Sequence, residues 1–271
     1  LTTLRGELRV DHMGPEGRVA GKVYAFAASG GRLRLEAVSP METPLRTVAV
    51  EGGSPGTFTM TDQEEQRCIE APADPCLVGE AIGIELGAAH VAATLAGSVP
   101  LLRHEKARST WNRCGYYEVT LEGEQEGWTE TLRIAPEQGA LVVTKAVVRG
   151  PEGVVLEIEH RDHSRTGEMM LPGRSTIRTP ATGGDLRVDW RSVEVDVDLP
   201  ESAWRTRCPE GFAVERATCQ STGAMPLLEQ VAPPPEPEAT EEPGEPGEGG
   251  EGGAGGEEDI GGDLGEELGL E

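Results

Sequence analysis

Aromatic residues are scarce in this 271-residue chain, which has four Trp, three Tyr and three Phe. Any core it builds must therefore rest on Leu, Val, Ile and Ala. Positive charge is also short, with 24 Lys and Arg against 48 Asp and Glu and a formal net charge of −24. That balance leaves no basic footprint for nucleic acid and disfavours electrostatic docking on anionic lipid headgroups. No stretch is apolar enough to span a bilayer as a helix. The sequence contains no G-x-S-x-G elbow, phosphate-binding glycine loop or HExxH, and its cysteines show no CxxC spacing. Ser109, Ser164 and Ser175 read as turn or strand serines without a nearby base. In His160-Arg161-Asp162-His163 the two imidazoles are three positions apart, which in a regular strand puts them on opposite faces, so no metal site is expected. Glu157, Glu159, Glu194, Asp196 and Asp198 alternate along strands as a solvated face. Nothing here nominates an enzyme or a cofactor.

The charge that is present is uneven. Residues 232–271 hold 14 acidic residues and no Lys or Arg, leaving a net of −10 for residues 1–231. This segment is nearly all Pro, Gly and Glu, and it cannot bury enough apolar area to offset its ordering entropy. It reads as a disordered acidic tail, in which only Ile260, Leu264 and Leu268 share a helical face. Of the five cysteines, Cys68 and Cys76 enclose one short loop and Cys208 and Cys219 another. The spacing suggests two local disulfides in an oxidising compartment, with Cys114 left free.

Between the gaps, residues 1–231 read as short alternating strands separated by Gly/Pro turns. The first set is Leu4–Asp11, Arg18–Ala28, Arg32–Val38, Leu45–Glu51 and Thr57–Asp62. The second is Tyr116–Glu122, Thr129–Ala135, Leu141–Arg149, Val154–His160, Gly167–Leu171, Thr176–Thr179, Asp185–Trp190 and Val193–Val197. Between the sets the period changes. Leu77, Val78, Ala81 and Ile82 form one helical stripe, and Ala88, Val91, Ala92 and Leu95 another, closed by Gly97. The expectation is a mainly β domain over residues 1–231: a strongly curved antiparallel half-barrel of about eleven strands, with a short helical lid at about residues 75–97. So long a sheet must curl or close. Alternation turns Leu8, Val10, Leu33, Leu35, Phe58 and Met60 inward, with Val119, Leu121, Leu132 and Ile158 from the second set and Val91 and Leu95 from the lid. An aliphatic concavity of this kind suits a lipid-like ligand.

One stretch breaks the pattern. RLRLEAVSPMETPL begins as a clean strand and then places Met41 at a turn tip, where Gly, Asn, Asp and Ser are usual. This stretch, the strand TFTMTD and the helical IGIELGAAHVAATLAGSVPL resemble the outer-membrane lipoprotein-insertion protein LolB and its LolA/LolB-like superfamily. VVLEIEHRDHSRTGEMMLPGRSTIRTP and LRVDWRSVEVDVDLPESAWRTRCPEGFAV resemble the DUF4292-type lipoproteins of that superfamily. The resemblance covers about residues 1–219. It implies a half-open β-barrel with a helical lid in the periplasm of a Gram-negative bacterium, whose lipid-binding positions are the inward residues named above. The partners it implies are acyl chains of lipoproteins or other envelope lipids, and the outer membrane, with transfer or insertion as the task. A monomer anchored by a lipidated cysteine preceding residue 1 is expected. Met41 falls at the family's protruding membrane-contact tip, though Met replaces Leu and Glu42 replaces Gly. The competing expectation is an envelope scaffolding lipoprotein with a closed core and an acidic tail that recruits a partner.

Overall fold

Alternating strands with tight turns pair with their neighbours in sequence, and here nearly every strand does so. In the computed structural model, which describes residues 3–14, 17–52, 56–180, 182–218 and 225–228, the chain divides into two units, Leu1–Ala232 and Pro233–Glu271. The second unit, with Ile260, Leu264 and Leu268, lies outside the described residues.

The first unit opens with β1 (Thr3–Gly14), β2 (Gly17–Ala28), β3 (Arg32–Val38), β4 (Pro44–Val50), β5 (Thr57–Asp62) and β6 (Arg67–Pro72). Helices α1 (Pro75–Ile82) and α2 (Ala88–Leu95) follow. The second run is β7 (His104–Asn112), β8 (Tyr116–Gly123), β9 (Thr129–Glu137), β10 (Ala140–Gly150), β11 (Gly153–Thr166), β12 (Met169–Thr179) and β13 (Gly184–Val195). A 3-10 turn, Glu201–Trp204, and a short β14 (Ala213–Glu215) complete it.

All of these strands lie in one curved, unclosed sheet of order β14-β6-β5-β4-β3-β2-β1-β13-β12-β11-β10-β9-β8-β7. The count is fourteen rather than eleven. Three strands escape the sequence reading: β6, the short β14 and the edge strand β7. β7 is solvent-exposed along almost its whole length, so it shows no alternation to detect. Two others read as broken strands are continuous, because β12 runs through Pro172-Gly173 and β13 carries an irregularity opposite Glu7/Leu8. Strand β14 is parallel to β6, and the remaining pairs are antiparallel.

This order dictates the lid. The first six strands grow outward from β1 to one edge, while the second run starts at β7, the opposite edge, and grows back until β13 pairs with β1. The connection from β6 to β7 must therefore cross the whole sheet, and residues 75–103 cross its apolar face. Helix α1 starts at Asp74, whose side chain accepts from the Cys76 N–H at 3.0 Å, with Pro75 in its first turn. It stops at Gly83, left-handed at φ 80°. Helix α2 ends at Leu95, and Gly97 (φ 84°) turns the chain away. The Trp190 indole N–H donates to the Leu95 carbonyl at 3.3 Å, fixing the end of α2 over β13.

The disulfide expectation is corrected. Cys68 pairs with Cys208, 140 positions away in sequence, and not with Cys76. The pairing of Cys208 with Cys219 is excluded with it. Cys76 is itself disulfide-bonded, and Cys219 lies outside the described residues. The cause is long-range: β14 runs alongside β6, with Val214 opposite Cys68, and brings the C-terminal segment to the strand edge. Cys114 is free and exposed, as expected.

Candidate functional site

Several strand ends lie at one end of the sheet. Register sets Gly14↔Gly17 at the end of β1–β2, Lys22↔Val38 at the end of β2–β3, and Thr179↔Gly184 at the end of β12–β13. The end of α1 joins them. Gly83 lies so close to the His12 ring that a Cβ there would sit 2.5 Å from Nε2, and Gly184 approaches the Gly83 carbonyl. Only glycine allows α1 to descend onto β1 in this way.

Beneath this rim lies a cavity of about 1180 Å³, walled by β1–β4, β12 and β13 and roofed by α1, α2 and the loop between them. Its lining is mostly aliphatic: Leu8 and Val10, Val23, Leu35, Ile177, Leu186 and Val188 from the sheet, and Ile82, Ile84, Leu86, Val91 and Leu95 from the lid. It opens to solvent along residues 17–21 of β2, which line it while exposed. Small residues hold it open. Gly21 faces the cavity opposite Val10, and a Cβ there would meet nothing within 4 Å.

Five of the inward residues, Leu8, Val10, Leu35, Val91 and Leu95, line this cavity. The other seven, Leu33, Phe58, Met60, Val119, Leu121, Leu132 and Ile158, face the same way but pack within or against the closed core beside it. Sequence reading gave no role to Val23, Ile177, Leu186 or Val188, or to the interhelical Ile84 and Leu86. The alternation of Leu186 and Val188 was the available signal.

Met41 is 87% exposed. Its turn is rigidly built: the Ser39 hydroxyl accepts from the N–H groups of Met41 and Thr43, at 3.2 and 3.1 Å, and the Glu42 N–H donates to the Ser39 carbonyl. Glu42 is left-handed at φ 63°. Its carboxylate turns back to the Lys22 ammonium and accepts from the Tyr24 hydroxyl at 2.7 Å. These two partners, Lys22 first, hold the Glu42 carboxyl below its usual range, and Glu42 in turn raises Lys22. The charge beside the tip is thus paired within the sheet, and the thioether alone projects. Met13 (53% exposed), Val19 (69%) and Leu45 (44%) add apolar surface at the same rim.

The histidine motif behaves differently from a regular strand. Asp162 adopts φ 58°, which shifts the strand's facing by one, so His160 and His163 are both buried with ring centroids 6.4 Å apart. Ser175, read as lacking a base, has one: its hydroxyl donates to His160 Nδ1 at 2.8 Å, and His160 Nε2–H donates to the Ser98 carbonyl at 2.9 Å. Burial pushes the His160 pKa down to about 4, so the ring is neutral at ordinary pH. It pins the segment after α2 to β11 and β12. Among the described residues no group of three His, Cys, Asp or Glu side chains is placed to hold a metal. Glu157 pairs with Lys145 at 2.9 Å and Glu159 with Arg161 at 2.7 Å, and Glu194 with Arg5 at 2.9 Å.

No family model matches the chain, and no curated protein matches it in sequence. Solved structures match in shape. A LolA superfamily protein from Nitrosomonas europaea aligns over 76% of this chain and 90% of its own, with TM-score 0.50 and 13% identity. A DUF1329 family protein from Desulfovibrio piger aligns over 75% and 90%, with TM-score 0.50 and 10% identity. A domain named for outer membrane lipoprotein sorting, from Vibrio parahaemolyticus, aligns over 75% and 89%, with TM-score 0.50 and 7% identity. At these identities the likeness is one of fold alone: the chain shares an overall fold with these three structures.

Proposed function

We propose that this protein binds acyl chains of lipoproteins or of other envelope lipids in the cavity under the lid, and hands them on at a membrane. The observation that carries this reading is the aliphatic cavity of about 1180 Å³, which opens to water at a rim bearing Met13, Val19, Met41 and Leu45. An apolar hollow open to solvent is costly unless something apolar occupies it. Each methylene moved from water into it contributes about 0.8 kcal/mol, which suffices for reversible capture without a cofactor. The solved structures of like fold include one named for outer membrane lipoprotein sorting, in keeping with this role. The Cys68–Cys208 bond fits an oxidising compartment such as the periplasm. The protruding Met41, beside a carboxylate already paired, is the proposed point of bilayer contact. Catalysis forms no part of the proposal, because the buried Ser175–His160 pair has a poorly basic imidazole.

Gly21 offers the direct test. Gly21→Trp starts its side chain where a Cβ meets nothing within 4 Å and carries an indole at the mouth. The expected result is a folded protein by circular dichroism that no longer binds a fluorescent acyl probe. Undiminished probe binding by the folded variant would reject the cavity as the site. Met41→Asp should leave probe binding intact and weaken association with phospholipid vesicles.

A further inference from the structure

Resting on that reading, we infer that the cavity selects against anionic amphiphiles and takes ligands whose polar end is neutral or cationic, with Glu80 and Glu85 as the residues that set the preference. Besides His12, six ionisable side chains line the cavity: Arg18, Lys22, Arg46, Glu42, Glu80 and Glu85. Every cation among them is already taken. Arg18 pairs with Asp11 through two hydrogen bonds, Lys22 with Glu42, and Arg46 with Asp62 at 2.6 Å. The only acid of the six that answers one of these cations is Glu42. Among the described residues Glu80 and Glu85 have no ion-pair or hydrogen-bond partner, and both are exposed where α1 and the interhelical loop roof the mouth.

An amphiphile whose chains fill the cavity must leave its polar end at this mouth. An anionic head there finds no uncommitted guanidinium or ammonium to accept it, and it faces two carboxylates that no cation pairs. To gain a cation it would have to break an existing pair, such as Arg46–Asp62, and leave that carboxylate behind. A cationic head can approach Glu80 and Glu85 directly, and a neutral head meets neither penalty. The net charge of −10 on residues 1–231 acts in the same sense at longer range. Acyl-bearing ligands without a negative head, as opposed to free fatty acids or acidic phospholipids, are therefore the assigned class.

Displacement of a fluorescent acyl probe from the full chain by dodecyltrimethylammonium, dodecyl maltoside and laurate tests this, since the chains are matched and only the heads differ. The expected order is cationic, neutral, anionic, with the extremes about tenfold or more apart at low salt. The gap should narrow as ionic strength rises, and it should collapse in the double variant Glu80→Gln/Glu85→Gln. Equal displacement by all three heads, or preference for laurate, overturns the inference and leaves the acyl-binding reading standing. A preference that survives in the double variant removes Glu80 and Glu85 as its source. Failure of the native chain to bind the probe or any of the three amphiphiles overturns the acyl-binding reading itself, and is recognised by that loss.

Discussion

One row of side chains on the concave face crosses eight strands in register: Val19, His12, Leu186, Ile177, Ile158, Ala146, Leu132 and Val119. The first four line the cavity, and the last four belong to the closed core or pack against it. Sheet and face are alike in the two halves, and so, apart from His12, are the residue types, so the difference lies in what covers them. Over β8–β11 the segment after α2 inserts Val99 and Leu102, 2% and 0% exposed, and Trp128 packs beside them. Gly123 and Gly150 give these side chains room, at 3.2 Å from Leu102 and 3.4 Å from Trp128 for an added Cβ. Over β1–β4 and β13 only two eight-residue helices bridge the hollow, and small residues such as Gly21 and Ala37 leave it unfilled. An aliphatic lining does not by itself make a binding site; the thickness of its cover decides.

The largest effect should come from breaking the outer edge of the cavity half. Cys208→Ser opens a link spanning 140 positions, worth about 5 kcal/mol by the chain-entropy argument. Denaturant unfolding should show the loss. Hydrogen exchange should rise along β5 and β6 while β8–β11 stay protected; uniform exchange across both halves would mean that they unfold as one unit. A sharper contrast comes from neighbours in the row. Ile158→Ala creates a void in the filled half and should cost about 2–5 kcal/mol, whereas Ile177→Ala only enlarges an existing hollow and should cost roughly 1–2 kcal/mol less.

The filled half also contains a buried acid. Glu130 is fully buried, and burial pushes its pKa up to about 7 despite the Leu102 N–H, which donates to Oε2 at 2.7 Å. Because the folded state holds this proton more tightly than the unfolded one, stability falls as pH rises from about 4.5 to 7. Glu130→Gln should remove that slope, stabilising the protein by up to about 3 kcal/mol at pH 8 and hardly at all near pH 4. His160 works in the opposite direction. Its folded pKa of about 4 lies below the usual 6.5, so its contribution to stability is lost as pH falls below 6.5. In the wild type the two slopes partly cancel in this window, and Glu130→Gln exposes the histidine's alone. The smallest expected effect is at the mouth: Gly21→Ala meets no neighbour and should raise stability by about 0.5 kcal/mol, read as a higher Tm.

The two helices and the inward face of the sheet were legible because they depend on local period, whereas which part of that face stays hollow depends on its cover. Leu77–Ile82 and Ala88–Leu95 repeat at helical spacing, and Leu8, Leu35 and their kin alternate. What escaped depends on contacts remote in sequence or on one dihedral angle. β7 is polar on both faces because it is an edge, and β14 is recognisable only beside β6. Cys208 meets Cys68 because that same strand docks there, and proximity in sequence pointed to the wrong partners. The burial of both His160 and His163 follows from Asp162 alone, whose left-handed backbone breaks the alternation. Ser175 then acquires its imidazole partner across β11–β12, a pairing that register supplies and spacing cannot.

An unclosed sheet also keeps two open edges, and these bear on self-association. At one end β14 is only three residues long and offers a short template. At the other, β7 exposes seven of its nine residues to solvent, among them Glu105, Lys106 and Arg108. A second copy adding itself edge to edge would have to accommodate these charged side chains, the usual guard against runaway strand pairing. Lys106 and Arg108 also lie within 3.5 Å of Glu122, holding the edge to its own neighbour. Replacing both with threonine would remove this guard and leave a β-prone strand beside Trp111, and aggregation on storage, followed by light scattering, is the expected consequence.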